Sequence, residues 1–333
     1  MSMLNPAAKL HPNIFGEPEM NPTRDGFGTG LVEAGEKDPR VGAVCADLAE
    51  STRILPFKEK FPKSYIEAGV AEQNLALVAS GLANYGKIPF IASYATFSPG
   101  RNNEQIRTNI CINNVPVKIV GSHAGVSVGP DGATHQALED IGLMRMLPRM
   151  TVISPCDSEE ARKATLAAAE HEGPVYLRLG REKTPIMTTL ATPFELGKAQ
   201  VVWQGDKRKN PDVVVFATGP LLFNALMAAK ELEPKVATVV INIHTIKPLD
   251  TKAVLQWSKK AGAVVTVEEH QVAGGLGSAI AETLTQGAPV PIEYIGVHDQ
   301  FGQSGTPKEL IEHYGMGVSH IAAAITKVIK RKK

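Results

Sequence analysis

Glu72 lies in the run Tyr65-Ile66-Glu67-Ala68-Gly69-Val70-Ala71-Glu72-Gln73-Asn74, directly ahead of Leu75 to Ala83, which is almost wholly apolar. A helix beginning there packs into a core, so its opening acid sits in poorly solvated surroundings, where enzymes use carboxyl groups to handle protons. The plainer alternative is an acid that interacts favourably with the helix dipole. A second cluster is Gly121-Ser122-His123-Ala124-Gly125-Val126-Ser127-Val128-Gly129-Pro130-Asp131-Gly132-Ala133-Thr134-His135-Gln136. It begins at the carboxyl end of a predicted strand, where open α/β sheets bind ligands. Its glycines let backbone approach a ligand closely, and His123, Asp131 and His135 supply donors and acceptors suited to a polyhydroxylated substrate. Those three residues lack the compact spacing of a metal site, and a purely structural glycine-rich turn is a further alternative. Gly274-Gly275-Leu276-Gly277 has the wrong order for a dinucleotide fingerprint, and no acid-ending strand follows about 20 residues on. A tight turn with close helix packing accounts for it better.

These groups need a scaffold. From Thr23 onward, predicted strands at Val41–Cys45, Ile88–Ser93, Val117–Gly121, Thr151–Ser154 and Val175–Leu179 alternate with helices. The helices fall at Asp25–Glu36, Ala71–Tyr85, Gln105–Asn113, Gln136–Met146 and Ser158–Glu170. The pattern is that of a doubly wound α/β sheet. It lapses around Lys183–Asp212, which includes the polar run Gln204-Gly205-Asp206-Lys207-Arg208-Lys209-Asn210. A second alternation follows, with strands at Val213–Thr218, Val236–Asn242, Ala263–Glu268 and Ile292–Val297. Its helices fall at Pro220–Leu232, Thr251–Lys260, Leu276–Leu284, Pro307–Tyr314 and Val318–Ile329. The expected organisation is two doubly wound α/β domains in series: an N-terminal extension over 1–22, a first domain over 23–185, a linker over 186–211 and a second domain over 212–333.

The bulk properties exclude several function classes. The 333 residues are 43% apolar and 21% charged with net charge +1, which gives no basic surface for nucleic acid. Lys330-Arg331-Lys332-Lys333 reads as a solvated tail. No apolar stretch approaches membrane-spanning length, and the start carries no secretory pattern. Cys45, Cys111 and Cys156 show neither a disulfide framework nor zinc spacing, which fits a reducing, cytoplasmic setting.

The motifs at 67–74 and 121–136, with their mutual spacing, resemble transketolase. More narrowly, they resemble the pyrimidine-binding and C-terminal domains of a thiamine-diphosphate enzyme, from about Thr23 to about Ile329. The resemblance implies that the pyrimidine end of thiamine diphosphate is bound here. Glu72 would hydrogen-bond the aminopyrimidine and stabilise its imino tautomer, so that the cofactor's own nitrogen takes the thiazolium proton. Tyr94 and Phe97 would pack on the pyrimidine, with Asp47 and Gln105 close by. The segment Ser98-Pro99-Gly100-Arg101-Asn102-Asn103 departs from the family's third ring-contact region. Arg24, Ser51, His123 and Arg181 would hold the phosphate of a sugar phosphate, for which guanidinium groups offer a planar fork. Asp131 and His135 would meet sugar hydroxyls, with His135 also close to the reacting carbonyl. Glu72 and His135 are thus the expected catalytic residues, and strand alternation places Arg178 on the opposite face.

In the family, a Gly-Asp-Gly segment with a later Asn holds the diphosphate through Mg²⁺ or Ca²⁺. Here Gly205-Asp206 is followed by Lys207, and Pro130-Asp131-Gly132 belongs to the substrate cluster, so no metal ligand is expected in this chain. The expectation is the C-terminal subunit of a split transketolase, transferring a two-carbon ketol unit from a ketose phosphate to an aldose phosphate. An N-terminal subunit would bring the metal and diphosphate site in an α2β2 assembly. Two alternatives stand beside it. One is the β subunit of a 2-oxo acid dehydrogenase E1 component, whose substrate gives the Arg24, Ser51, His123 and Arg181 set no phosphate to hold. The other is a non-catalytic interaction subunit, against which the intact glutamate, histidines and arginines argue.

Overall fold

Strands that are apolar on both faces pair in parallel only when helices cover both sides. Two such sheets form in the computed structural model, which describes residues 3–205 and 210–332. Asp206 to Lys209, within the predicted polar run, and Lys333 of the predicted tail lie outside the described residues.

The larger sheet has seven strands, in the spatial order Thr245–Lys247, Thr151–Ile153, Val175–Arg178, Lys118–Ser122, Ile88–Tyr94, Val41–Cys45 and Tyr65–Glu67. Every neighbouring pair is parallel except the first. The smaller sheet runs Ile292–Val297, Val264–Gln271, Val213–Ala217, Thr238–Asn242 and Gln200–Gln204, with only the last strand antiparallel. The two doubly wound α/β units expected from the alternation are therefore present.

On one face of the larger sheet, Phe27, Leu31, Phe57, Phe90, Val120 and Leu177 share a buried cluster. The helices Thr23–Lys37 and Ser158–Glu170 cross there at close range. A Cβ at Gly26 would lie 1.7 Å from the Ser158 carbonyl oxygen, so only glycine permits that approach. On the other face, Leu75, Ala79, Ile91, Ile110 and Tyr176 pack beneath the helix Glu72–Asn84.

Several elements differ from the sequence expectation. The helix expected at Gln105–Asn113 starts at Asn103, and Ile106–Cys111 is wound as a π-helix. Groups from outside occupy its carbonyls: Ser80 Oγ donates to Asn109 O, and Arg149 Nη1 to Ile112 O. The helix expected at Gln136–Met146 begins only at Asp140, because the Gln136 side chain is drawn into the preceding loop. Tyr65–Glu67, Gln200–Gln204 and Thr245–Lys247 are strands the alternation did not reveal, as is the pair Met20–Pro22 with Lys183–Pro185. Thr245–Lys247 follows the second unit's first strands in sequence yet pairs with Thr151–Ile153 of the larger sheet. Lys247 Nζ reinforces this join by donating to the carbonyls of Arg145 and Leu147. The N-terminal extension lies along the outer strand of the smaller sheet, with Asn5 N–H donating to Val202 O and Gln204 N–H to Met3 O. Among the described residues no helix is long and apolar enough to cross a membrane.

Candidate active site

The register of the larger sheet assembles the site. Tyr94 ends its strand directly opposite Ser122, the last residue of the neighbouring one. His123 then turns with φ 57° and lays its ring on Tyr94, centroids 3.9 Å apart. Phe97 stacks on Tyr94 at 6.2 Å, and His135 meets both rings edge-on at 5.9 and 5.5 Å. Four rings from separate strand ends and loops form one wall.

Glu72 is the first residue of its helix and is 5% exposed. Asn102 Nδ2 donates to the Glu72 carbonyl at 2.9 Å and to Ser98 Oγ at 3.1 Å, while Ser98 N–H donates to the Tyr94 carbonyl. These bonds tie the helix start to the aromatic wall. The Glu72 carboxylate has no hydrogen-bond partner among the described residues, and neither do the buried Ser93 Oγ, Thr96 Oγ1 and Asn102 Oδ1. Buried polar atoms are nearly always paired. A set left open around an aromatic pair suits a planar heterocycle with its own donors and acceptors, such as an aminopyrimidine.

Beyond His123 the site becomes cationic. Arg24 Nη1 donates to the Ser51 carbonyl at 2.8 Å and to His123 Nε2 at 3.2 Å. Burial, with the positive charges of Arg24, Arg181, His135 and Arg53, pushes His123 down to about 3. The neutral ring accepts on Nε2, so its proton sits on Nδ1 and bonds Ser122 Oγ at 2.9 Å. In a pH titration by NMR, the His123 ring resonances are expected to stay flat between about pH 5 and 8; a midpoint near the ordinary value of about 6.5 would contradict this arrangement. Arg181 Nη1 donates to the Val128 carbonyl at 2.9 Å and lies 3.4 Å from Asp131 Oδ1. Arg24, Arg53, Arg181 and Lys183 line one cleft of about 440 Å³.

The smaller sheet holds the loop that carries His123, Asp131 and His135. Glu269 Oε1 accepts from Ser127 N–H at 2.6 Å. A Cβ on Gly125, where φ is 90°, would lie 2.3 Å from that oxygen, which explains the glycine. Gln136 Nε2 lies 3.0 Å from the Gln303 carbonyl and 3.1 Å from that of Gly129. Arg178 is buried away from the cleft, bonded to Asp140 and to the Glu269 carbonyl.

The structure thus brings together Arg24, Ser51, Tyr94, Phe97, His123 and His135, and sets Arg181, which shares a cleft with Arg24, 3.4 Å from Asp131. Glu72 joins through Asn102. Asp47 N–H donates to Glu67 Oε1 and Gln105 Nε2 to Glu104 Oε2, while Gln105 Oε1 is buried without a hydrogen-bond partner. Sequence reasoning missed Arg53, Asn102 and Glu269. The Glu268-Glu269-His270 run of charged residues closing a predicted strand was a usable signal for the last.

Residues 19–187 match the pyrimidine binding domain of transketolase, and residues 203–321 its C-terminal domain. A 6-deoxy-6-sulfo-D-fructose transketolase subunit from Clostridium sp. (strain MSTE9) is 40% identical over 93% of this chain and 95% of its own length. A subunit of apulose-4-phosphate transketolase from Phocaeicola vulgatus is 33% identical over 92% of this chain and 97% of its own. A solved split-gene transketolase, described as an inactive beta4 tetramer, superposes with TM-score 0.87 at 42% identity, covering 94% of this chain and 99% of that one.

Proposed function

The chain belongs to the transketolase family, and from that membership we propose that it transfers a two-carbon ketol unit from a ketose phosphate to an aldose phosphate as the C-terminal subunit of a split enzyme. The observation that carries this reading is Glu72, 5% exposed and with an unpartnered carboxylate, whose backbone carbonyl is tied through Asn102 to the wall of Tyr94, Phe97, His123 and His135.

The pyrimidine end of thiamine diphosphate fits these residues. Glu72 would bond the aminopyrimidine, Tyr94 and Phe97 would pack on its ring, and Ser93, Thr96 and Asn102 offer the remaining polar atoms. By the family correspondence, Asp47 and Gln105 would lie close to the same ring. When bound, the cofactor supplies the nucleophilic carbon that the ketol unit needs. Arg24, Ser51, His123 and Arg181 would orient the terminal phosphate, Asp131 a sugar hydroxyl, and His135 would hold a proton near the reacting carbonyl oxygen.

The same reading keeps the division of the chain into 1–22, 23–185, 186–211 and 212–333. It requires an N-terminal subunit with the Gly-Asp-Gly…Asn site for Mg²⁺ or Ca²⁺, in an α2β2 assembly in the cytoplasm. That a related split subunit is inactive as a beta4 tetramer supports the need for such a partner. The test is to mix the chain with a separately encoded N-terminal subunit, thiamine diphosphate and Mg²⁺. Aldose-dependent consumption of a ketose phosphate is expected. Turnover of a 2-oxo acid with a lipoyl acceptor instead would replace this reading by the E1 one.

A further inference from the structure

The cationic cleft contains a guanidinium that the family resemblance did not offer. Arg53 lies on the loop between the strand Val41–Cys45 and the helix Leu55–Lys60, and it lines the cleft with Arg24, Arg181 and Lys183. Its charge is close enough to help lower both Arg24 and His123, in each case after burial.

Two features set Arg53 apart from an ordinary surface arginine. Its backbone has φ 66°, in the left-handed region that a long side chain rarely adopts. That conformation is accommodated by Gly28, where a Cβ would lie 2.7 Å from the Arg53 carbonyl oxygen. A left-handed, non-glycine residue held in place by its surroundings is a reason to look for function. The second feature is its bonding. Arg53 Nε donates to Asp25 Oδ1 at 2.7 Å. The two terminal nitrogens, the pair that grips an oxyanion end-on, have no hydrogen-bond partner among the described residues.

We propose that Arg53 is a further substrate-binding residue, held by Asp25 with its terminal nitrogens free to take a tetrahedral oxyanion, phosphate or sulfonate, at the far end of the sugar. This rests on the phosphosugar reading above and deepens it. Asp25 aims the guanidinium and also opposes the incoming anion, since its carboxylate repels the same negative charge. The two residues therefore act on affinity with opposite signs. A pair that merely fastened the loop to the helix Thr23–Lys37 would show no such opposition.

The test titrates the full-length chain calorimetrically with methyl phosphate and, separately, with methanesulfonate. Arg53→Met is expected to weaken methyl phosphate binding about tenfold, the loss of charge-assisted hydrogen bonds. Asp25→Asn, which still accepts from Nε, is expected to tighten it. A loss confined to methyl phosphate assigns the cleft to phosphate esters, and a parallel loss for methanesulfonate assigns it to tetrahedral oxyanions generally; either supports the proposal. Unchanged affinity in Arg53→Met, with Arg24→Met still weakened, overturns the role of Arg53 and leaves the phosphosugar reading standing. If Arg24→Met and Arg181→Met are also without effect, or the parent chain binds neither probe, both fall.

Discussion

Glu72→Gln is expected to lower kcat of the assembled enzyme by about a hundredfold to ten-thousandfold, the range removed with a proton-handling side chain. The expectation follows from its setting. Glu72 is a buried residue at a helix start whose carbonyl is fixed by Asn102, and its carboxylate has no bond of its own among the described residues to lose. An amide of the same shape should therefore leave the melting temperature of the chain nearly unchanged. Glutamine still offers a hydrogen bond to a heterocycle but cannot exchange a proton, whereas Glu72→Ala removes both. Comparing the variants in the reconstituted complex, with cofactor affinity measured alongside turnover, separates binding from proton handling. Near-parental kcat in Glu72→Gln would exclude proton handling by the carboxylate, and near-parental kcat and cofactor affinity in Glu72→Ala would exclude both jobs.

The largest loss of stability is expected from Asp140→Leu. Asp140 and Arg178 are 1% and 5% exposed, and Arg178 Nε donates to Asp140 Oδ2 at 2.8 Å. Tyr176 Oη donates to the same oxygen at 2.6 Å, while Arg178 Nη2 reaches the Glu269 carbonyl in the other unit at 2.8 Å. Deleting the carboxylate leaves a buried guanidinium uncompensated, which costs about 3–5 kcal/mol. A fall in melting temperature on the order of 10 °C should follow. Asp140→Leu combined with Arg178→Met should recover much of it, because the penalty lies in the orphaned charge. Burial alone would raise Asp140, but the charges of Arg178 and His270 and the bonds from Arg178 and Tyr176 outweigh it, so its folded value is lowered. Its contribution is therefore complete above the ordinary carboxylate value of about 4 and disappears as pH falls through the lower folded value. The gap between parent and Asp140→Leu should accordingly narrow in strong acid, measured by thermal unfolding across pH. A gap that does not change with pH would exclude the ion pair as its source.

Asp140 also marks where sequence reading reached its limit. The Glu72 helix was legible because a lone acid ahead of a continuous apolar run leaves little choice of start. The parallel strands other than Tyr65–Glu67 were legible for a similar reason, as apolar runs set between helix signals. Arg178 was correctly turned away from the cleft by alternation. Nothing local, however, shows that its partner is Asp140 or that it reaches the Glu269 carbonyl 91 positions away. The anion cleft was legible in part. Arg24 and Arg181 were placed by their correspondence to the family's phosphate-holding positions, whereas Arg53 owes its place to a left-handed backbone that only the packing against Gly28 reveals. The helix boundary at Asp140 was set too early because Gln136, an ordinary helix former, spends its side chain on the carbonyls of Gly129 and Gln303. In each case a tertiary contact overrode a local preference.

The short strand Thr245–Lys247 constrains how such chains can be recombined. It crosses from the second half to finish the sheet of the first, pairing Thr245 with Ile153 and Lys247 with Val152. Joining residues 1–185 of this chain to the remainder of a relative would replace that strand with a foreign one at the seam. The graft would then depend on whether three substituted residues still fit the edge of Thr151–Ile153 and whether a lysine still reaches the carbonyls of Arg145 and Leu147. Inheritance of the two halves is coupled through that seam, and a successful chimera would have to carry the matching strand along with the half that binds it.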